Sequence, residues 1–186
     1  MAVKYNFVDN DAIDQGADWY ATFIYNQPAL ITDVLGDGST VTFVGNNGFA
    51  TGQKVSITGI IPNQYNLQNV TVATANTDEF TVSNGATGVY ISGGMAYAPV
   101  NITGDSAKMQ VRSEPNSDAV LTLDTDNNGI TIVGLDGIIN LHATAEETGA
   151  IDEGYYYYDL ELTQAVSGIV TRIAQGQILV SAEITK

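Results

Sequence analysis

The clearest alternation of apolar and polar positions lies in the last third of the chain, over residues 154–185. Successive side chains of a β-strand point to opposite faces of a sheet, so alternation indicates a strand with one buried face. One predicted face of the tyrosine run carries Tyr156, Tyr158, Leu160 and Leu162, and the other carries Tyr155, Tyr157, Asp159 and Glu161. With turns at Gly168 and Gly176, the pattern predicts a three-stranded antiparallel meander on which the upstream chain packs.

The alternation places Tyr155 and Tyr157 on the face opposite to Leu160 and Leu162. Two aromatic rings on that face need cover from another element of the chain or from a partner protein. We expect both rings to be buried within the same chain. The alternative is an exposed pair, because tyrosine beside acidic residues is frequent at protein–protein contacts.

The middle of the chain, residues 29–96, consists of short strand-like runs separated by glycine, asparagine and aspartate. The runs recur roughly every eight to twelve residues, a spacing typical of all-β modules. The predicted strands are residues 30–34, 40–44, 54–58, 70–75, 79–82 and 89–92. Short strands in this number predict a small closed or half-closed β-barrel.

Longer strand patterns flank that middle segment. The predicted strands are residues 19–25, 107–112, 119–123, 129–133 and 138–143. The gap at residues 124–128 predicts a hairpin between two of them. Residues 144–151 predict a short helix with Thr144 as its cap. Trp19 is the single tryptophan of the chain, and we expect it to anchor the core.

The change of pattern at Pro28 and again near Pro99 predicts an insertion rather than two domains in tandem. Residues 1–28 hold too few strands to fold alone, so we predict that they join residues 97–186 in a β-sandwich of immunoglobulin size. Residues 29–96 are then the inserted barrel. The predicted fold class is therefore all-β, an immunoglobulin-like β-sandwich with an inserted small β-barrel domain.

The chain is strongly acidic, with 21 aspartate and glutamate residues against 6 lysine and arginine residues and a formal net charge of −15. Such a surface repels phosphates and anionic lipids, so we expect neither nucleic acid nor a membrane as partner. The N-terminal residues lack the apolar run of a secretory signal, and no apolar stretch approaches the roughly 20 residues of a membrane helix. The lack of cysteine excludes disulfides and thiolate chemistry.

Few residues form patterns typical of catalysis or metal binding. Residues 124–129 match the first half of a calcium loop, but Leu135 occupies the position of its bidentate glutamate, so an Asx-rich turn is favoured over calcium binding. His142 is the only histidine and is expected to be structural. Asp152 and Glu153 could serve glycoside hydrolysis, but nothing distinguishes them from the other acids. We predict no catalytic, cofactor-binding or metal-binding residues, no cofactor and no enzymatic activity.

Several segments resemble parts of known proteins. The first set is similar to the immunoglobulin-like N-terminal domain of siphophage upper baseplate proteins and to small structural proteins of tailed bacteriophages. It comprises residues 99–112, 130–132, 148–162 and 168–185. In such proteins a strand like residues 15–19 runs almost directly into the Pro-x-x-Ile-Thr-Gly segment, which favours the insertion. Residues 41–82 resemble small β-barrel modules of phage tail and appendage proteins and the barrel insert of ubiquitin-activating enzymes.

The resemblance implies a non-enzymatic virion structural protein, an adaptor or appendage component at the neck, tail or baseplate. The implied partners are other virion structural proteins, with a homo-oligomer within the particle. The implied location is the virion, after assembly in the host cytoplasm. Two alternatives are a capsid decoration protein and a host-surface carbohydrate-binding module in which exposed aromatic rings stack on sugars.

Overall fold

The structure is a computed structural model that describes residues 2–184, so Thr185, at the end of the predicted last strand, lies outside the described residues. About 55% of the chain is in β-strands and 8% in helices, and the predicted all-β class is confirmed. The strands are β1 (Val3–Lys4), β2 (Ile13–Asp14), β3 (Trp19–Ile24), β4 (Asn26–Leu30), β5 (Asp33–Asp37), β6 (Thr40–Val44), β7 (Lys54–Thr58), β8 (Leu67–Ala75), β9 (Glu79–Ser83), β10 (Thr87–Val89), β11 (Met95–Pro99), β12 (Ser106–Arg112), β13 (Ala119–Asp124), β14 (Ile130–Val133), β15 (Ile138–Ala143), β16 (Gly154–Thr163) and β17 (Val170–Ser181). An α-helix, α1 (Ala145–Gly149), precedes β16, and 3₁₀ turns occupy Asp9–Asp11, Asn63–Tyr65 and Gly134–Asp136.

The chain divides into two compact units. The first unit comprises the residues up to Tyr25 together with those from Asn101 onward, and the second unit comprises Asn26–Val100. Residues 26–28 and 97–100, assigned to the sandwich from sequence, belong to the second unit, because β4 and β11 pair with each other. That each unit folds as an independent domain stays a prediction.

The first unit contains two sheets that pack around a shared aromatic core. The larger sheet has the order β1-β17-β16-β12-β13, with β2 also pairing with β17, and the smaller sheet has the order β14-β15-β3. Phe7 bridges to Ile178 of β17. Its ring lies 5.1 Å from Trp19 and 5.7 Å from Phe23 of β3, and 5.1 Å from Tyr158 of β16. Trp19 is 5% exposed, so its predicted role as a core anchor is confirmed, and the unit is sandwich-like.

The predicted hairpin across residues 124–128 is wrong. β13 pairs with β12 in the larger sheet, whereas β14 pairs with β15 in the smaller sheet, so this connection carries the chain from one sheet to the other. Leu123 and Ile130 are both buried on either side of the crossing. Strands of opposed sheets bury their apolar faces in the same core. Alternation in the sequence therefore does not distinguish a hairpin from a crossing.

The predicted three-stranded meander at the end of the chain is also wrong, because Gly176 is not a turn. β16 and β17 form one hairpin, and β17 runs from Val170 to Ser181 through Gly176. A Cβ atom at position 176 would lie 1.7 Å from the carbonyl oxygen of Tyr5, so glycine permits the close approach of the N-terminal segment. The predicted turn at Gly168 is confirmed, with a φ of +67° in the β16–β17 connection.

The second unit is built on an eight-stranded sheet with the order β10-β5-β6-β9-β8-β7-β11-β4. Its buried apolar cluster includes three phenylalanine rings. Phe43 and Phe80 stack at 5.1 Å, and Phe49 meets Phe80 edge-on at 5.1 Å. The hydroxyl of the fully buried Tyr65 donates a hydrogen bond of 2.7 Å to the carbonyl oxygen of Gly88, so this core contains a satisfied polar group.

Two predicted strands of the second unit, residues 30–34 and 89–92, are wrong. Ile31 and Thr32 lie between β4 and β5, and their amides donate to two different neighbouring segments, because the chain here passes from one pairing partner to another. β10 ends at Val89. The next residue, Tyr90, donates a hydrogen bond of 3.0 Å from its hydroxyl to the carbonyl oxygen of Gly93. Apolar composition alone shows neither where pairing changes nor which residues are buried, since Leu30, Val89 and Ile91 are exposed.

The short helix α1 begins at a capping box. The Thr144 hydroxyl accepts a hydrogen bond of 3.3 Å from the Glu147 amide, and the Glu147 carboxylate accepts one of 2.8 Å from the Thr144 amide. The predicted cap is confirmed, although the helix ends at Gly149 rather than at residue 151. The buried Thr148 hydroxyl donates to the carbonyl oxygen of Ala17 at 2.8 Å and fastens the helix to the N-terminal segment. Over residues 2–184, no helix has the length and apolar character to cross a membrane.

Candidate functional site

The outer side of the larger sheet in the first unit is the strongest candidate for a functional surface. Along β16, Tyr156 and Tyr158 point into the core and are 8% and 4% exposed, whereas Tyr155 and Tyr157 point outward and are 65% and 44% exposed. The expectation that the second pair is buried within the chain is therefore wrong. The core of the unit is filled from the inner side of this sheet, by Phe7 and the smaller sheet, which leaves the outer side open.

Cross-strand pairing arranges the outward side chains in rows. Read from β12 through β16 to β17, the rows are Arg112-Tyr157-Gln177, Gln110-Asp159-Gln175 and Lys108-Glu161-Arg172. Side chains directly opposite one another across antiparallel strands lie within contact distance. We call these nine side chains, together with Tyr155 and Lys4 beside them, the outer face.

Ion pairs occupy one end of the outer face. The Nη2 atom of Arg172 is 3.0 Å from the Asp159 carboxylate and 3.6 Å from that of Glu161. Lys108 lies 3.8 Å from the carboxylate of Asp124 on β13. All of these side chains are partly exposed, so each pair contributes at most about 1 kcal/mol to stability. Their main effect is to neutralise charge and to hold the long side chains in register.

Two other cations of the outer face have no acidic partner, Arg112 on β12 and Lys4 on β1, with β17 and β16 between them. The Arg112 guanidinium donates to the carbonyl oxygen of Ser117 and, at 2.9 Å, to Oε1 of Gln110, both neutral acceptors. Among residues 2–184, no carboxylate oxygen lies within 4.0 Å of Arg112 or of Lys4. A guanidinium has five N–H donors, so Arg112 retains donors for a ligand after making both bonds.

A groove of about 830 Å³ runs along the outer face. Arg112, Tyr157 and Pro115 line one part of it, and Lys4 and Arg172 line another. Its lining includes three cationic and two acidic side chains, in a chain whose formal net charge is −15. The volume falls in the range of ligand-binding clefts, roughly 300–1,000 Å³. The groove thus offers an aromatic ring, amide groups and uncompensated positive charge for binding.

The two inward tyrosines fix β16 beneath the groove. The Tyr158 hydroxyl donates to the carbonyl oxygen of Tyr5 at 3.0 Å, and the Tyr156 hydroxyl donates to that of Asp152 at 2.8 Å. Burial raises the pKa of Tyr158 well above its ordinary value, and the nearby Tyr5 phenol adds to the effect. Burial and then the Asp152 carboxylate raise the pKa of Tyr156. Both phenols therefore remain neutral donors near pH 7, and the strand is held from its inner side.

The loop that resembles a calcium site uses its oxygens internally. The Asp124 carboxylate accepts hydrogen bonds from the amides of Asp126 at 3.0 Å and Asn127 at 2.8 Å, and the Asn127 side chain accepts one from Gly129 at 2.8 Å. These are Asx-type turns, which favour the structural interpretation. Across residues 2–184, no group of three or more His, Cys, Asp or Glu side chains is placed to hold a metal ion.

His142 lies on the outer side of the smaller sheet, away from the outer face. Its ring stacks on Tyr20 with a centroid distance of 4.5 Å and an interplanar angle of 9°. The Nε2 atom is buried, finds no hydrogen-bond partner among the described residues and lies 3.9 Å from the Asp18 carboxylate. The stacking favours the structural role predicted for this histidine.

Sequence reasoning missed the positive charge of the outer face. Of the five basic residues in the part of the chain that the structure describes, four lie there, namely Lys4, Lys108, Arg112 and Arg172. The signal was present, because alternation in residues 107–112 places Lys108 and Arg112 on one face of a strand. That they share a sheet face with Lys4 and Arg172 depends on strand order, which the local pattern does not contain.

Comparison with known proteins does not place the chain in a family. No family model matches it, and no curated protein matches it. The geometry of the outer face and the sequence segments described above therefore carry the functional conclusion.

Proposed function

We propose that this chain is a non-enzymatic structural subunit of a tailed-phage virion, an adaptor or appendage component at the neck, tail or baseplate. In this proposal the outer face docks on other virion proteins, including further copies of the chain. The observation that carries it is the exposed pair Tyr155 and Tyr157 beside a groove lined by Arg112 and Arg172. Tyrosine and arginine are enriched at the energetic centres of interfaces, because they combine a large contact area with directed donors.

The first unit is proposed to be an immunoglobulin-like sandwich. In that fold, strands B, E and D belong to one sheet, and C, F and G, with C′ in the variable type, belong to the other. Assigning B to β3, C and C′ to β12 and β13, D and E to β14 and β15, and F and G to β16 and β17 reproduces both sheet orders. The bond from the Tyr156 hydroxyl near the start of β16 to the Asp152 carbonyl supports the assignment, because it corresponds to the tyrosine corner of strand F.

The second unit is proposed to be a small β-barrel. β4 and β5 lie near opposite ends of its sheet order, yet only Ile31 and Thr32 separate them along the chain. The chain itself therefore joins the two ends of the sheet, and Phe43, Phe80 and the rest of the apolar cluster lie within. A sheet that closes on itself in this way leaves few unpaired edges, which supports a barrel. β10 adds a short strand outside β5.

The virion assignment is supported by sequence resemblance. Residues 99–112, 148–162 and 168–185 are similar to the immunoglobulin-like N-terminal domain of siphophage upper baseplate proteins. In those proteins the segment equivalent to residues 15–19 leads almost directly into the one equivalent to residues 99–104. The second unit occupies this same interval of the sequence, between Tyr25 and Asn101. An insertion into a virion domain accounts for both observations.

The location is tested by immunogold electron microscopy of particles of the phage that encodes the chain. We expect label at the neck, tail or baseplate. Label spread over the capsid shell would favour the decoration protein instead. Particles that carry no label would contradict a virion role.

Docking through the outer face is tested with a Tyr155→Ser/Tyr157→Ser double variant supplied during particle assembly. Because exposed tyrosines at interface centres contribute about 2 kcal/mol or more, we expect at least about tenfold less of the variant in purified particles. The control is Tyr97→Ser in the second unit, which is 40% exposed and should enter particles like the parent chain. Circular dichroism establishes that both variants fold. Equal incorporation of the double variant would contradict docking through this face.

Carbohydrate binding is a second candidate, favoured by the ring of Tyr157 in the groove beside Asp159 and Gln110. Sugar rings stack on aromatic side chains while neighbouring carboxylates and amides bind their hydroxyl groups. A glycan array probed with the purified chain distinguishes the two functions. Binding that Tyr157→Ser abolishes would favour the carbohydrate role, whereas an array without signal would leave protein docking.

A further inference from the structure

We infer that the groove of the outer face receives an acidic segment of a second copy of this chain. The inference rests on the proposed function, because it uses the same face, and it adds which segment of a further copy occupies the groove. The acidic segment is residues 146–153, most of α1 together with its connection to β16, and it carries Glu146, Glu147, Asp152 and Glu153. Groove and segment both lie in the first unit.

The first step is the unequal distribution of positive charge. A chain with 21 acidic residues collects four of its five described basic residues on one side of one sheet. Arg172 and Lys108 already have carboxylate partners within their own chain. Arg112 and Lys4 do not, so the groove presents positive charge that is available to an incoming carboxylate. Charge-assisted bonds from a guanidinium to a carboxylate are among the strongest contacts that an interface makes.

The acidic segment, in turn, carries carboxylates that have no partner within their own chain. Glu146, Asp152 and Glu153 are exposed, and among residues 2–184 their carboxylates have no hydrogen-bond or ion-pair partner. Glu147 differs, because its carboxylate closes the capping box. The three free carboxylates therefore complement the two free cations of the groove.

The third step is that the acidic segment is rigid before it binds. The capping box fixes its start, and the Tyr156 hydroxyl bonds the carbonyl oxygen of Asp152 near its end. Between them, Ile151 is 1% exposed and is packed into the core of the unit. Binding a segment that is already ordered loses little conformational entropy, which favours association. The backbone beneath the groove is also ordered, because most of the lining residues lie on paired strands.

The net charge of the chain favours one relative orientation of two associating copies. Two copies with a formal charge of −15 each repel one another, except where an acidic surface meets the groove. At about 0.15 M salt the screening length is about 8 Å, so the overall repulsion is weakened while pairs in direct contact persist. Because groove and acidic segment are different patches, the contact is head-to-tail and repeats from copy to copy. Such contacts close into a ring when the rotation between copies allows it.

The experiment is sedimentation velocity on the full chain from about 5 to about 500 µM in about 0.15 M salt. We expect the mean mass to rise with concentration. A groove variant, Lys4→Glu/Arg112→Glu, and a segment variant, Asp152→Lys/Glu153→Lys, should each need at least about tenfold more protein to associate. The controls lie in the second unit and should associate like the parent chain. They are Lys54→Glu and Asp78→Lys/Glu79→Lys.

Mixing the two variants gives the sharpest readout. Neither self-associates, but the acidic groove of the first complements the basic segment of the second, and the basic groove of the second complements the acidic segment of the first. We therefore expect an equimolar mixture to recover the association of the parent chain. A mixture that stays monomeric while the parent chain associates would overturn the inference.

The remaining outcomes also decide the matter. A parent chain that is monomeric throughout, or variants that associate as it does, would overturn the inference. Because Arg112 also holds the Ser117 carbonyl, unfolding of the double variant is checked by circular dichroism, and Lys4→Glu alone then serves as the groove variant. The proposed function has a separate test. It would be contradicted if the Tyr155→Ser/Tyr157→Ser variant entered particles as well as the parent chain does. If the chain is monomeric but its incorporation into particles depends on the two tyrosines, docking through the outer face is supported and binding of a second copy is contradicted.

Discussion

The carbonyl oxygen of Tyr5 lies where a side chain at position 176 would begin, 1.7 Å from an ideal Cβ atom. No carbon atom fits so close to backbone, so β17 or the N-terminal segment has to move if one is added. The contacts at risk include the hydrogen bond of 2.9 Å from the Gln177 amide to Asn6. We expect Gly176→Ala to lower the free energy of unfolding by about 2 kcal/mol or more, measured by urea denaturation.

The control for that substitution is Gly149→Ala in α1. The nearest atom to a Cβ there is 3.6 Å away, an ordinary contact, and alanine is the better helix former. We expect stability to be unchanged or raised by up to about 1 kcal/mol. If both substitutions destabilise the chain equally, close approach is not the reason for glycine at position 176.

Tyr158 makes stability depend on alkaline pH. Its ordinary pKa is 10.0, and burial raises the pKa in the folded chain. Below about pH 10 the phenol is neutral in the folded and in the unfolded chain, and its contribution to the free energy of unfolding is complete. Above that pH the phenol ionises first in the unfolded chain, so the free energy of unfolding falls as the pH rises. We expect the free energy of unfolding to fall by up to about 1.4 kcal/mol per pH unit from this group. Urea denaturation between about pH 9 and about pH 12 measures the slope.

Tyr158→Phe should reduce that slope, because it removes one titrating group and keeps the ring, whereas Tyr156, whose pKa is also raised, remains. Met109→Leu is the control, since it changes the same core without removing an ionisable group. We expect it to shift stability by a similar small amount at every pH, with the slope retained. A slope that survives Tyr158→Phe unchanged would show that other groups produce the alkaline loss.

The sequence predicts an individual strand or helix correctly when the residues that determine it lie within that element. The strands at residues 40–44 and 54–58 are confirmed, and the cap at Thr144 is confirmed, because alternation and capping chemistry are local. Pairing is not local. The sequence pattern around residues 124–128 is the same for a hairpin and for a crossing between sheets. A glycine in the sequence likewise indicates either a turn or a close approach of another backbone segment, and Gly176 is the second case.

The candidate site shows the same limit. Alternation correctly separated the outward Tyr155 and Tyr157 from the inward Tyr156 and Tyr158. It could not show that the outward pair is exposed, because exposure depends on which elements cover the sheet. That Lys4 lies on the same sheet face as Arg112 depends likewise on the order β1-β17-β16-β12, which joins two distant parts of the chain in one sheet.

The capping box of α1 gives a prediction at this scale. Thr144→Ala removes the oxygen that accepts the Glu147 amide and should lower the free energy of unfolding by about 1 kcal/mol. Thr144→Ser keeps a capping oxygen and should retain most of the stability. Urea denaturation compares the two variants. Equal losses would mean that the methyl group, rather than the cap, supplies the stabilisation.

For the whole molecule, the question is whether the two units are independent domains. Asn26 and Pro99 are register partners of the antiparallel pair β4 and β11, so the two ends of the second unit lie side by side. Opposed residues in such a pair are about 5 Å apart, a gap that a flexible linker of about four residues spans. The second unit can therefore be replaced by a short glycine-serine linker between Tyr25 and Asn101 without stretching the first.

We expect both products of that replacement to fold. The shortened chain keeps the aromatic core around Phe7 and Trp19, and the isolated residues 26–100 keep the cluster around Phe43 and Phe80. Each should show a cooperative thermal transition by circular dichroism, with the smaller fragment the less stable because a small module buries less of its surface. The shortened chain should also retain concentration-dependent association, since groove and acidic segment both lie in the first unit. A shortened chain that unfolds while the full chain folds would show that the second unit is part of the scaffold rather than an insertion carried by it.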